Sequence, residues 1–299
     1  MPEISKNNFF FLNRDSDWPG FKKSGIELRE DGALQLSSLP RALSALPDAV
    51  KSASVPSGPA GLAIDATGTL FFTDPDSNKV SRILSCDSSV CPAPCMGGNN
   101  GGPTGLNAPR GLVLPPTRQS LFVMDSGNHC IKIFTLDTFQ LAGIWGQPNL
   151  GGTPQPSSQP GQFNTPWTAA ADSGGNLYVV DYGNQRVQKF NSLGDVIPAF
   201  CDNVQASALL QQPADIAIRE KEGQIWILVV DASSSTICVF DPNGQPVRDS
   251  SGNPKRLQDS HLTQPMGSAA DRDSLYVGDN GTKRVLRFQI EDTFEYVGT

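Results

Sequence analysis

The sequence predicts an all-β chain folded as a six-bladed β-propeller, and three observations predict it. First, one strand–turn–strand frame recurs five times. With Asp74, Asp125, Asp181, Asp231 and Asp279 as its zero position, a small polar residue follows three residues on: Ser77, Asn128, Asn184, Ser234 and Thr282. Six residues on stands a β-branched residue (Val80, Ile131, Val187, Ile237, Val285), and nine residues on a large apolar one (Ile83, Phe134, Phe190, Phe240, Phe288). The aspartates lie 51, 56, 50 and 48 residues apart, a period that suits propeller blades. Second, a proline leads each unit (Pro59, Pro109, Pro166, Pro213, Pro265), with a small side chain four residues later: Ala63, Val113, Ala170, Ala217, Ala269. Proline fits the first residue of a strand, where no ladder donor is needed, and small residues fit strands converging on an axis. Third, residues 25–38, GIELREDGALQLSS, align without a gap to residues 61–74, GLAIDATGTLFFTD. They supply a degenerate first blade, with Ser38 at the aspartate position.

Residues 1–24 precede the repeats and form an apolar anchor segment ahead of a propeller over residues 25–299. Phe9, Phe10, Phe11 and Leu12 make a short apolar run, followed by Trp18 and Phe21. Such a run needs a partner: either the rim of its own propeller or a neighbouring subunit. The segment has no basic stretch leading into a long apolar core, so it does not read as a secretory signal, and the chain is expected in the cytoplasm. No apolar run approaches the ~20 residues of a membrane helix.

Within each unit, the stretch LYVVDYGNQRVQKF (residues 177–190) shows the design. Leu177, Val179 and Val187 carry a period-2 apolar pattern on two strands. Asp181 ends the first strand, and Gly183 and Asn184 sit in the turn, where glycine tolerates positive φ and short polar side chains bond the local backbone. The recurrent aspartates read as acceptors for backbone N–H groups in their own turns, since a catalytic role would require five similar sites in one chain. Four long stretches (residues 86–107, 146–164, 198–211 and 243–263) are rich in Gly, Pro, Ser, Asn and Gln and read as loops. In a four-stranded blade these loops and the Asp-led turns share one face, which is the candidate surface for a partner. The last unit carries its own outer strand near residues 294–297.

Composition narrows the function. With 23 basic against 30 acidic residues the formal charge is -7, which disfavours an extended phosphate-binding face. Of six cysteines, Cys130 and Cys238 fall on second hairpin strands and read as buried apolar residues. Cys86, Cys91 and Cys95 cluster, without the spacing or fourth ligand of a zinc site. They read as free thiols in a reducing compartment, or as the source of one disulfide in an oxidising one.

The side chains just after each proline are expected at the mouth of the central channel: Ala60, Arg110, Trp167, Ala214 with Asp215, and Met266. One carboxylate and no histidine do not make a metal site. The two histidines, His129 and His261, are not placed together by the sequence, so no catalytic residue, metal or cofactor is expected. Arg110 and Trp167 are residue types favoured in contacts. With Asp215 and Met266 they make a candidate partner site at the mouth. The alternative is that Trp167 plugs the channel while Arg110 pairs with Asp215.

LYVVDYGNQRVQKF, LFVMDSGNHCIKIF and SLYVGDNGTKRVLRF resemble the NHL repeat, over roughly residues 57–299. That resemblance implies a β-propeller, usually six-bladed, in a family holding binding scaffolds, RNA binders and some enzymes. FFFLNRDSDWPGF followed by GIELREDGALQLSSLP is similar to the start of bacterial NHL-repeat proteins of phage-tail-like contractile injection systems. This implies a structural, protein-binding role in a baseplate or tail, with protein subunits as partners and neither nucleic acid nor membrane insertion. A lyase- or lactonase-type propeller enzyme and an RNA-binding propeller are the alternatives.

Overall fold

The computed structural model describes residues 26–28, 33–36, 52–54, 60–65, 69–83, 96–97, 105–116, 119–146, 155–290 and 294–298. Their regular structure is almost wholly antiparallel sheet. Strands β1 (Ile26–Leu28), β2 (Ala33–Leu36) and β3 (Ser52–Ser54) pair in that order. A four-stranded sheet follows: β4 (Leu62–Ile64), β5 (Leu70–Asp74), β6 (Lys79–Ile83) and β7 (Met96–Gly97). The next holds β8 (Pro109–Val113), β9 (Ser120–Asp125), β10 (Cys130–Thr135) and β11 (Leu141–Trp145). Then come β12 (Pro166–Ala171), β13 (Leu177–Asp181) and β14 (Arg186–Phe190), followed by helix α1 (Pro198–Ala206). Two more four-stranded sheets complete the chain. One is β15 (Pro213–Lys221), β16 (Gln224–Asp231), β17 (Thr236–Phe240) and β18 (Arg256–Leu257); the other is β19 (Pro265–Ala270), β20 (Ser274–Asp279), β21 (Arg284–Ile290) and β22 (Phe294–Gly298).

The alignment of the degenerate first unit is matched by backbone register. Ile26 faces Leu36 and Leu28 faces Leu34, as Leu62 faces Phe72 and Ile64 faces Leu70 a constant 36 residues on. First strands lie against one another in sequence: β4 on β8, β8 on β12, β12 on β15, β15 on β19. The close approach is visible at two glycines. A Cβ on Gly61 would sit 2.5 Å from Arg110 O, and one on Gly111 2.7 Å from Thr168 Cα. Ala63, Val113, Ala170, Ala217 and Ala269, the small residues of these strands, are all buried.

The proline and aspartate columns turn out to be partners. Pro109 pairs with Asp125, Pro166 with Asp181, Pro213 with Asp231 and Pro265 with Asp279, each with an irregularity just after the proline. That irregularity is what re-aims the following side chain, as bulges do. Pro59 lies outside the described residues. Apolar side chains interlock within and between sheets: Phe122 meets Trp145 of its own sheet edge-on at 5.1 Å, and Trp145 stacks on Phe190 of the next at 5.4 Å between ring centres.

Three expectations need correction. Residues 198–211 are not all loop, because Pro198–Ala206 is helical. Proline suits the first turn of a helix, and Phe200, Cys201 and Val204 turn a buried face to β14. That sheet therefore has three strands, with only a Phe190–Val196 bridge beyond β14. Residues 86–107 and 243–263 likewise contain outer strands, β7 and β18. In the turn, Gly183 does not take the positive φ it tolerates; Gln185 does, at 54°. Gly183 is required for another reason, since a Cβ there would lie 2.6 Å from Asn164 O. The anchor residues Phe9, Phe10, Phe11, Leu12 and Trp18, and the cluster Cys86, Cys91 and Cys95, lie outside the described residues.

Candidate functional site

At the hairpin end of the sheets all five aspartates are buried; Asp74 accepts Ser77 N from its own turn at 3.2 Å, and the other four receive donors from two directions. Asp279 accepts Thr263 N at 2.7 Å and Gln264 N at 2.9 Å from the entering loop, and Thr282 N at 2.7 Å from its own turn. Asp231 does the same with Gln211 N, Gln212 N and Ser234 N. In the two units whose polar partner is asparagine the pattern changes. Asp125 and Asp181 accept the side-chain amides of Asn128 and Asn184, both at 2.8 Å, instead of a turn N–H. Each also holds a buried cation, Lys132 Nζ on Asp125 and Arg186 Nε on Asp181, both at 2.8 Å. The expectation of donors from the turn alone was thus too narrow: the column ties the loop before each inner strand to the turn after it.

A further column escaped the sequence reading. Four residues after each aspartate stand Asn78, His129, Gln185, Ser235 and Lys283, all left-handed with φ of 52–57°. Four of them reach forward to the entry of the next sheet. Asn78 Oδ1 accepts Ala108 N at 2.6 Å, and His129 Nδ1 accepts Thr165 N at 3.0 Å. Gln185 Nε2 donates to Gln212 Oε1 at 3.2 Å, and Ser235 Oγ donates to Thr263 O at 2.8 Å. Burial lowers the His129 pKa, against the pull of Asp181 and Asp125, in keeping with a neutral ring whose Nδ1 accepts. The only sequence signal was positional, because the left-handed turn fixes the backbone and any short polar side chain then serves.

The residues after the prolines do gather at this end, though not all together. Arg110 lies over the Trp167 ring, 3.7 Å from its centre, and Trp167 lies against Tyr182 at 4.1 Å. All three are half-buried. Burial lowers the Arg110 pKa, with Tyr182 opposing, yet a guanidinium keeps its charge in proteins. Trp167 Nε1 is buried without an acceptor, which costs about 1–3 kcal/mol, so stacking and not hydrogen bonding holds the indole. Asp215 makes no ion pair with Arg110 among the described residues. It is fully buried and accepts both the N–H and the hydroxyl of Ser268, the latter at 2.9 Å. Burial pushes its pKa up to about 7, with Ile216, Ser268 and Thr168 holding it back. Met266 is half-buried, with no polar role.

Among the described residues no three His, Cys, Asp or Glu side chains are grouped to hold a metal ion. Cys130, Cys201 and Cys238 are free and buried; burial pushes the Cys130 thiol up to about 12 and Cys238 to about 11, the opposite of activation. His261 bonds Asp259 at an exposed turn, well separated in sequence and element from His129.

The NHL repeat matches residues 163–190, from the loop before β12 to the end of β14. NHL repeat-containing protein 3 of Mus musculus and that of Homo sapiens are each 29% identical over 87 residues, 29% of this chain. The matched segment spans 25% of the length of those relatives. Solved structures resemble nearly the whole chain. A nidogen/laminin complex matches with a TM-score of 0.57 and 17% identity, over 84% of this chain and 86% of that one. A catalytically inactive virginiamycin B lyase from Staphylococcus aureus, solved with quinupristin, matches with a TM-score of 0.56 and 16% identity, over 98% and 88%. A streptogramin B lyase matches with a TM-score of 0.57 and 15% identity, over 98% and 88%. At such identities the likeness carries the fold alone, an all-β propeller architecture.

Proposed function

We propose that the chain is a six-bladed, non-enzymatic propeller that binds protein partners through the face bearing its entry loops and hairpin turns. The observation that carries this is the cluster at the ends of the inner strands. A half-buried arginine is stacked on a half-buried tryptophan, both residue types that dominate protein contacts, and neither is engaged in chemistry. The six sheets of the described residues, with successive contacts between first strands, support the blade count. A lyase or lactonase would need a reactive group open at the mouth, whereas Asp215, the one carboxylate of that ring, is fully buried. An RNA-binding propeller would need a basic stripe, and Lys132 and Arg186 at this end are spent on Asp125 and Asp181. No helix among the described residues is long and apolar enough to cross a membrane.

The more specific part of the proposal is that the propeller serves in a phage-tail-like contractile particle, assembled in the cytoplasm, with residues 1–24 as the anchor. Its support is the N-terminal motif, with Phe9–Leu12 and Trp18 as apolar contacts. Burying two or three such aromatics gives several kcal/mol, at ~25 cal/mol per Å². Deleting residues 1–20 should leave a folded propeller, melting within a few degrees of the full chain, that no longer co-purifies with its complex. A sharp drop in melting temperature would mean that the segment completes the propeller instead, and unchanged co-purification would remove its anchor role.

A further inference from the structure

One charge at the inner-strand ends has no counter-charge among the described residues. Arg110 is the one charged side chain among the residues that follow the prolines, apart from the buried Asp215. Its guanidinium makes no ion pair and donates no hydrogen bond among the described residues. Its side chain contacts Trp167 through stacking, and only its backbone carbonyl is used, as acceptor for the Thr73 hydroxyl. That bond, with Gly61 N donating to Thr73 Oγ1 at 2.8 Å, fixes the strand beneath the side chain. Tyr182 packs against Trp167, 4.1 Å between ring centres. The guanidinium is therefore held on a rigid platform. Stacking engages its π face and leaves the in-plane N–H donors unspent, in a setting partly stripped of water.

From this arrangement we propose that Arg110, seated on Trp167 and Tyr182, is a receptor for a single carboxylate of a protein partner, carried on an acidic segment. The proposal rests on the protein-binding role given above and names the chemistry of its contact. A planar fork of donors matches a carboxylate in two parallel bonds. Buffered exposure suits it too, because such pairs gain most when partly desolvated. The positions on either side of the Arg110–Trp167 pair, Ala60 and Ala214, are small and buried, and Met266 is apolar, so among the described residues of this ring nothing of the same charge adjoins Arg110. Nucleic acid fits less well: polyanion binding needs several phosphate contacts, and among the described residues this ring offers one cation.

The test uses the full chain and a fluorescein-labelled tetraglutamate peptide at physiological salt, read by anisotropy. Binding is expected, with Arg110→Gln weakening it about tenfold or more, the equivalent of one lost charge-assisted contact. Arg110→Lys should recover only part of the affinity, because an ammonium cannot present the fork. Both variants should melt like the wild type. An amidated tetraglutamate and a tetraglycine with a free terminus separate side-chain from terminal carboxylates; the proposal expects the first to bind and the second not to. Equal affinity for wild type and Arg110→Gln, or preference for labelled oligouridylate over the peptide, would overturn it. So would an Arg110→Gln protein that still retains its co-purifying partner in full. In that case the binding face stands and the arginine is not its contact. A chain that binds the peptide through Arg110 but co-purifies with no protein would reverse this outcome, keeping the receptor and removing the assembly role.

Discussion

Asp215 shows how one residue can work against the fold that contains it. Its carboxyl is enclosed by the inner strands and accepts the Ser268 N–H and hydroxyl on one oxygen. Its pKa rises from the ordinary 3.8 to about 7. Between about pH 4 and pH 7 the folded protein keeps a proton that the unfolded chain has released. Stability therefore falls as pH rises through that window, is level above it, and the penalty is absent below about pH 4. Asp215→Asn keeps an acceptor for Ser268 and carries no charge. It should stabilise the protein at about pH 8, by on the order of a few kcal/mol and with a higher melting temperature, and change little at about pH 4. Thermal unfolding at both values checks this; a variant less stable at the higher pH would show that the anion is needed. The sequence placed Asp215 near the channel mouth, as part of a partner site or, in the alternative reading, paired with Arg110. Nothing in residue order reveals that Ser268, on the next inner strand, claims it first.

At the scale of the element, the hairpin was the most legible part of the chain, because one residue type repeats wherever a buried acceptor is needed. Asp125, Asp181, Asp231 and Asp279 do one job in the same place. The forward-reaching column was hidden because Asn78, His129, Gln185 and Ser235 share a backbone conformation, not a chemistry. Helix α1 was also missed, although Pro198 followed by Phe200, Cys201 and Val204 offered a proline start and an apolar spacing of helical period. The glycine was found, but its tolerance of positive φ is not what the turn uses. In Gly183 the missing side chain makes room for Asn164, whose carbonyl accepts Gly183 N at 2.8 Å. Gly183→Ala would place a methyl 2.6 Å from that backbone oxygen, which cannot rotate away as a side chain would. A loss of about 1–3 kcal/mol in denaturant unfolding is expected, and a wild-type midpoint would show that the loop yields freely.

Across the whole molecule, three cysteines report on whether the sheets open independently. Cys130 lies in β10, Cys201 on α1 and Cys238 in β17, all buried. A bulky thiol reagent at neutral pH should leave all three unmodified in the native protein, as mass spectrometry of digests would show, and should reach Cys130 and Cys238 only with global unfolding. Rapid native labelling of either would mean that its sheet detaches alone. The contacts that bind neighbouring sheets also have a direction. Asn78 reaches residue 108, His129 residue 165, Gln185 residue 212 and Ser235 residue 263; in every case the hairpin comes earlier in the chain than the strand entry it receives. A polypeptide made from its N-terminus thus presents each seat before the segment that will occupy it has been synthesised. The order in which the ribosome releases the chain is also the order in which these contacts become available.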